Sequence, residues 1–278
     1  MPEGDTILRS ADTLRRWLLD RQITSARTTL PGLRAARLRG ATVTGVDARG
    51  KHLLLRLSSG DVLHTHMGMT GSWHVYPTGE RWRRPAREAR LVLEAGERLA
   101  VCFNAPVVEL LAAHQERVHP VLAALGPDVL DPRWGDAEVV RRRARQRALD
   151  GVSPTAAELL LDQRIVSGVG NIYRSETLFV CGIDPWHPVA SLSDEQIDDL
   201  VGAASRLMSS NVRHGTVAAR GFGGRAGQAW VYRRAGLRCR RCGTSIVARR
   251  IGTQARTVYW CPTCQPPAAE VGRGGVSG

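Results

Sequence analysis

Lysine is nearly absent from this 278-residue chain: of its 39 basic residues only Lys51 is a lysine, and the rest are arginines. Aromatic residues make up only 5%, and no run of about eighteen apolar residues occurs, which excludes an ordinary transmembrane helix. The opening stretch MPEGDTILRS lacks the apolar segment of a secretory signal, so the chain reads as cytoplasmic. Acidic residues are missing altogether from Val201 to Ala269, a stretch that holds twelve arginines. A solvated face mixes signs, so a one-sign run points to a polyanion. Nucleic acid fits best, because arginine neutralises phosphate and no amphipathic helix with a bulky apolar face suits a membrane there.

What is present fits a globular protein of one or two domains. The formal charge is +13, the pI about 10.7 and the hydrophobic fraction 43%. Two explanations of the lone lysine stand side by side. Codon bias replaces lysine wherever any cation suffices, and one survivor is chance. Alternatively Lys51 sits where a compact ammonium fits and a planar guanidinium does not.

Apolar periodicity predicts the elements. Ile7, Ala11, Leu14 and Leu18 recur at helical spacing, giving a helix over 5–20. The period then falls to two. His52–Leu57 and Val62–His66 around a Ser-Ser-Gly-Asp turn form one hairpin, and Leu91–Leu93 with Leu99–Phe103 another. The first half is therefore a helix plus a β-sandwich or flattened barrel. Asp, Pro and Gly near Pro127–Trp134 mark a linker. Helices follow: one capped by Ser153 before Pro154, one over 172–180, and one opened by the capping box Ser193–Gln196 and reaching about Ser210. Gly221–Gly227 reads as a flexible loop.

Three motifs carry chemistry. Cys239 and Cys242, then Cys261 and Cys264 after eighteen intervening residues, have the spacing of a closed, structural four-cysteine zinc site. Disulfides are the alternative, but a cytosolic chain disfavours them. Cys102 and Cys181 lie in apolar runs and read as ordinary buried thiols. Gly168, Gly170 and Asn171 precede a helix, an arrangement that suits a phosphate and equally a plain helix–helix turn. At the start, loss of Met1 would leave Pro2 as a secondary amine with a pKa near about 8, lowered further by the helix that follows. Such an amine is a nucleophile for a sugar C1′, with Glu3 as proton shuttle; equally, Pro2 merely begins a helix. His64 and His66 share a strand face, and without a carboxylate partner they read as structural.

Met1-Pro-Glu-Gly4, Gly50-Lys-His-Leu-Leu54, Leu160–Glu176 and the closing cysteine hairpin together resemble the formamidopyrimidine-DNA glycosylase/endonuclease VIII family, over roughly residues 2–265. The resemblance implies an α+β multi-domain fold. Its parts are a catalytic helix-plus-β-sandwich domain (1–128), a linker (129–150), a helix–two-turns–helix domain (151–236), a four-cysteine zinc hairpin (237–265) and a loose tail (266–278). It also implies roles: Pro2 as nucleophile, Glu3 as its acid/base partner, Lys51 as the lysine contacting DNA at the lesion. Met69 becomes the residue inserted where a nucleotide is flipped out, and Asn171 and Arg256 the phosphate contacts. The activity implied is base excision with β,δ-elimination on double-stranded DNA carrying a damaged base or abasic site, by a monomer with one structural Zn2+, nucleoid-associated when bound.

Two departures separate the chain from the purine-acting branch. Gly4, Asp5 and Thr6 replace its Leu-Pro-Glu, and Phe103–Leu110 lacks its Arg and Phe wedge. Both favour the endonuclease VIII branch and oxidised pyrimidines over 8-oxoguanine or formamidopyrimidine. A non-catalytic lesion binder would not need Pro2, Glu3 and Lys51, and a zinc-ribbon scaffold for RNA or protein would not explain the first 176 residues.

Overall fold

The computed structural model describes residues 2–131, 137–150, 154–214, 222, 228–252 and 255–267. Helix α1 (Gly4–Leu18) buries Ile7, Ala11, Leu14 and Leu18 as one stripe, as their spacing requires. Eight strands follow: β1 (Ser25–Thr28), β2 (Val43–Arg49), β3 (His52–Leu57), β4 (Asp61–His66), β5 (Ser72–Pro77), β6 (Ala89–Ala95), β7 (Arg98–Phe103) and β8 (Val107–Ala112). They make two four-stranded antiparallel sheets, ordered β1-β6-β7-β5 and β2-β3-β4-β8. Leu53, Leu55 and Leu63 from one sheet and Leu91, Leu93 and Ala100 from the other share a core with α1. The expected sandwich is present, and both hairpins lie where period-two alternation put them.

β3 departs from simple alternation because both of its faces are covered. Leu54 points away from the sandwich core and packs with Val62, Leu111, Leu122 and Leu125. Two short helices, α2 (Ala113–Val118) and α3 (Pro120–Ala124), lie over that side.

The second domain holds α4 (Ala137–Leu149), α5 (Ala156–Leu159), α6 (Asn171–Cys181) and α7 (Asp194–His214). Helix α4 occupies the stretch read as a linker. Its burial rests on just Val140 and Ala144, and arginines fix the rest: Arg141 pairs with Asp198, and Arg145 donates to the carbonyls of Val189 and Leu192. Helix α5 starts two residues later than expected. Its cap is Thr155, whose hydroxyl accepts from Glu158 N–H while the Glu158 carboxylate accepts from Thr155 N–H; Ser153 lies outside the described residues. The box at Ser193 and Gln196 does open α7, which runs to His214. The Gly221–Gly227 loop lies outside the described residues except Phe222, which is buried against Tyr173.

A two-stranded hairpin of β9 (Val247–Ile251) and β10 (Arg256–Trp260) docks on α6. The helix grips the surrounding chain with buried polar groups. Glu176 accepts from the N–H groups of Trp230, Val231 and Tyr232 at 2.7, 3.0 and 2.8 Å. Gln265 accepts from Cys261 N–H and donates to the Ile183 carbonyl.

Replacing the Glu176 carboxylate by an amide removes acceptor capacity from three buried N–H groups. Glu176→Gln should lower stability by about 2–4 kcal/mol, read as a fall in the denaturant midpoint, with the loss localised by hydrogen exchange at 230–232. An unchanged midpoint would refute this account of how the hairpin region is held.

Candidate active site and nucleic-acid interface

The site forms where the two domains meet, and Glu3 makes the junction. Its carbonyl caps α1, accepting from Thr6 and Ile7 N–H, while its side chain reaches the start of α6. There Glu3 accepts from Gly170 and Ile172 N–H at 2.9 Å and from Tyr173 N–H at 3.3 Å. Gly4 N–H donates to the Gly168 carbonyl beside it. A Cβ on Gly170 would come within 2.3 Å of Glu3 Cδ, so only glycine admits the carboxylate here. The sequence expectation for Gly168–Asn171 is a phosphate seat. The segment does bind an anion, but that anion is the protein's own Glu3.

Pro2 directly precedes this carboxylate and lies at the positive end of α1. With Lys51, His66, Met69, Gln163 and Arg256 it lines a cavity of about 230 Å³. Lys51 follows the tight turn at Gly50, whose φ is +58° and whose N–H donates to Asp128 Oδ2 at 2.6 Å. Burial pushes the Lys51 ammonium down to about 8, Glu3 opposes that shift, and Arg256 adds to it. Met69 stands at the rim, 75% exposed, on the turn joining β4 to β5. An isolated, accessible apolar side chain above a polar cavity is suited to entering a base stack.

Asn171 and Arg256 meet through the hairpin backbone. Asn171 Nδ2 donates to the Thr257 carbonyl at 3.0 Å, and Asn171 Oδ1 accepts from the buried Arg174. Arg174 also donates to the Thr257 carbonyl at 2.8 Å. The start of α6 and the hairpin tip are thus one rigid, basic surface beside the cavity. Behind the tip, the sulfurs of Cys239, Cys242, Cys261 and Cys264 all lie within 4.8 Å of one another. Tetrahedral thiolates at about 2.3 Å from zinc stand about 3.8 Å apart. The Cys242–Cys261 and Cys239–Cys264 separations of 3.4 and 3.9 Å fit that geometry, and the four sulfurs are compatible with a structural zinc site. Cys102 and Cys181 are separate thiols, raised by burial to about 12 and about 11.

Comparison with known proteins agrees with this assembly. Residues 1–106 match the profile described as "Formamidopyrimidine-DNA glycosylase N-terminal domain", and residues 125–221 that of "Formamidopyrimidine-DNA glycosylase H2TH domain". The chain is 38% identical to "Probable endonuclease 8 2" of Streptomyces coelicolor, covering 99% of both chains. The chain belongs to the formamidopyrimidine-DNA glycosylase/endonuclease VIII family. It is also 37% identical to "DNA-(apurinic or apyrimidinic site) lyase Nei2" of Mycolicibacterium smegmatis, over 95% of this chain and 99% of that one. In fold it matches the Lactococcus lactis formamidopyrimidine-DNA glycosylase bound to abasic-site DNA, with a TM-score of 0.80 at 21% identity, over 95% of this chain and 99% of that one.

Several supports of this family site were not singled out in the sequence. Asp128 pins the Lys51 turn, and Gln163 shapes the glycine segment by donating to the Val169 carbonyl and accepting from Gly168 N–H. Arg84 donates to the Thr70 carbonyl and Ser72 Oγ, bracing the Met69 turn. Only Gln163 sat inside a quoted motif; the others pair across long sequence separations. The histidine reading also needs correction. His64 does have a carboxylate partner, Glu109, at 2.7 Å, supplied by the neighbouring strand β8.

A chain with one lysine gives one lysine side-chain signal in NMR after selective 13C labelling. That signal should titrate with a midpoint of about 8, and lower still in Glu3→Gln, because the Glu3 carboxylate raises it. A midpoint at the ordinary lysine value of about 10.4 would mean a solvated ammonium outside the cavity.

Proposed function

We propose that this chain is a bifunctional DNA glycosylase/AP lyase of base excision repair, acting on oxidised bases, chiefly pyrimidines, through an amine on Pro2. The observation that carries the reading is the convergence of Pro2 and Lys51 on one cavity rimmed by Met69 and Arg256, with the buried Glu3 carboxylate held directly after Pro2. Flipping exposes the sugar of a damaged nucleotide, and costs least where the base pairs poorly. Met69 fills the vacated space, while Asn171 and Arg256 hold the flanking phosphates.

Once Met1 is removed, the neutral Pro2 nitrogen donates its lone pair to C1′ as the bond from C1′ to the base breaks. The base leaves with a proton. The C1′–O4′ bond then opens, O4′ takes a proton, and an iminium links Pro2 to the sugar. The iminium acidifies the C2′ hydrogen; its removal expels the 3′ phosphate, and a second elimination expels the 5′ phosphate. Glu3, buried and held by three N–H donors, is fixed in orientation for moving these protons. Lys51 offers a compact cation to the phosphate side of the same sugar.

Zinc, held by Cys239, Cys242, Cys261 and Cys264, would brace the hairpin that carries Arg256. A pyrimidine preference is supported by the endonuclease 8 names of the relatives and by the Phe103–Leu110 segment. That segment is a tight turn followed by β8, with no long loop to supply a purine-side wedge. The partner is double-stranded DNA, bound by a monomer in the cytoplasm at the nucleoid.

Borohydride trapping on a duplex with one abasic site tests the reading. The wild type should form a covalent adduct, Pro2→Gly should lose most of it, and Glu3→Gln should slow turnover by about 100-fold. No adduct from protein with Met1 removed and DNA bound would leave a lesion-binding protein instead.

Zinc has its own measurement. Elemental analysis should give one zinc per chain, and chelation should cost DNA affinity about tenfold or more by releasing the hairpin. Full affinity after complete metal removal would refute a bracing role.

A further inference from the structure

Five titratable side chains run from the cavity to the surface of the β-domain, and the proposed lyase chemistry uses none of them. His66 lines the cavity with Pro2 and Lys51. Its ring lies 4.8 Å from that of His52. His52 Nδ1 is 2.8 Å from His64 Nε2, and His64 Nδ1 is 2.7 Å from Glu109 Oε1. His119 Nε2 approaches the same oxygen at 3.1 Å. His52 and His64 are buried, whereas the Glu109 side chain is 38% exposed.

Backbone anchors fix the direction of these bonds. His119 Nδ1 accepts from Leu122 N–H, so Nε2 carries the hydrogen and donates to Glu109. Ionised Glu109 only accepts, so His64 donates from Nδ1 and must receive at Nε2. His52 therefore donates from Nδ1, and its Nε2 is left as the basic nitrogen at the inner end. His66 Nδ1 accepts from Gly68 N–H, so its hydrogen sits on Nε2. The same argument weighs against a metal on His64, Glu109 and His119. Binding through His119 Nε2 would move its hydrogen to Nδ1, against the Leu122 N–H.

We propose that His52, His64 and Glu109 form a proton relay between the amine cavity and solvent, reached from the cavity through His66. The proposal rests on the Pro2 lyase reading. DNA seated over the cavity shuts out water, yet the amine must shed a proton before it attacks. His66 gives its Nε2 hydrogen to His52 Nε2 and takes a replacement from the cavity amine at the same nitrogen. The His52 Nδ1 proton passes to His64 Nε2, and the His64 Nδ1 proton passes to Glu109, which releases it to water. One proton enters and one leaves. The reverse sequence returns a proton for O4′ or the departing base and restores both tautomers.

The surroundings keep the row neutral. Burial lowers His52 to about 3 and lowers His64 and His66, and Lys51 adds to the shift at His52 and His66. Among the described residues, Glu116 of α2 also faces it, paired with Arg56 at 2.9 Å. Neutral rings can pass a proton without storing one.

The test is the pH dependence of single-turnover adduct formation on abasic-site DNA for wild type, Glu109→Gln and Glu109→Asp. A relay predicts Glu109→Gln to be about tenfold slower near about pH 6.5 and within about twofold of wild type above about pH 9, where the amine is already neutral. Glu109→Asp should recover most of the loss. Removing a negative charge for electrostatic reasons alone would do the opposite, easing deprotonation and speeding the reaction at low pH. That result, an equal loss at every pH, or no change would overturn the relay. A proton inventory in mixed H2O and D2O tests the unmodified protein: a curved plot supports several protons in flight, and a linear one overturns the relay. A second zinc per chain, lost in Glu109→Gln, would make the cluster a metal site and overturn it too. If the wild type forms no adduct, the lyase reading and the relay fall together; an adduct with an unmoved profile sinks the relay alone.

Discussion

The whole arrangement depends on one carboxylate buried between two domains. Glu3 starts α1 with its carbonyl and satisfies the first turn of α6 with its side chain, so a single residue ties the β-sandwich domain to the helical domain. A charge so placed is tolerable only because N–H donors replace its water, each worth about 1.5–3 kcal/mol to a charged acceptor. The constraint propagates outward. Gly170 must lack a side chain, Gly168 adopts a φ of +100°, and Gly4 packs tightly on the Gly168 backbone. The Pro2 nitrogen is then positioned by backbone geometry, one residue from an immobile carboxylate.

Charge composition pointed to nucleic acid, yet part of the arginine excess makes contacts within the protein. Arg174 is fully buried; Arg234 and Arg240 donate to backbone carbonyls, and Arg241 lies over the Phe179 ring at 4.5 Å. These guanidiniums do what their fork of donors allows, which is to stitch irregular chain around α6 and the cysteine hairpin. Lys51 is the exception in kind. It occupies a confined cavity where burial depresses its charge, and an arginine, which stays charged, would remove the adjustable cation. The lone lysine is thereby better explained by its surroundings than by codon drift.

Local periodicity made the first domain legible, because each hairpin and α1 declare themselves within about fifteen residues. The α4 helix did not, since its apolar stripe is two residues wide and arginine contacts supply the rest. Glycines before α6 read as a phosphate seat or a plain helix–helix turn, and in the structure they take the Glu3 carboxylate. The occupant was invisible, because Glu3 lies 167 positions away from Gly170. The histidine row was hidden for the same reason: β3, β4, β8 and the residue before α3 each contribute a part. Of the residues singled out by motif resemblance, Pro2, Lys51, Met69 and Arg256 line one cavity, with Glu3 and Asn171 at the start of α6, but the resemblance could not supply the groups that hold them.

The short turn between β7 and β8 and the Met69 turn are mechanically linked. An apolar residue displaces a base usefully only if its turn resists being pushed back. Here the turn is closed by Gly71 N–H donating to the Met67 carbonyl, and Arg84 clamps it at Thr70 and Ser72. Arg84 is itself held by Glu88, which also receives Asn104 Nδ2 at 2.9 Å. Asn104 adopts a φ of +48° and gives its N–H to the Glu88 carbonyl, making the abrupt turn that leads from β7 to β8. A longer loop at this position would separate Asn104 from Glu88 and loosen Arg84. The short turn between β7 and β8 is therefore the anchor that stiffens the Met69 turn, so a change of length in one would be felt in the other.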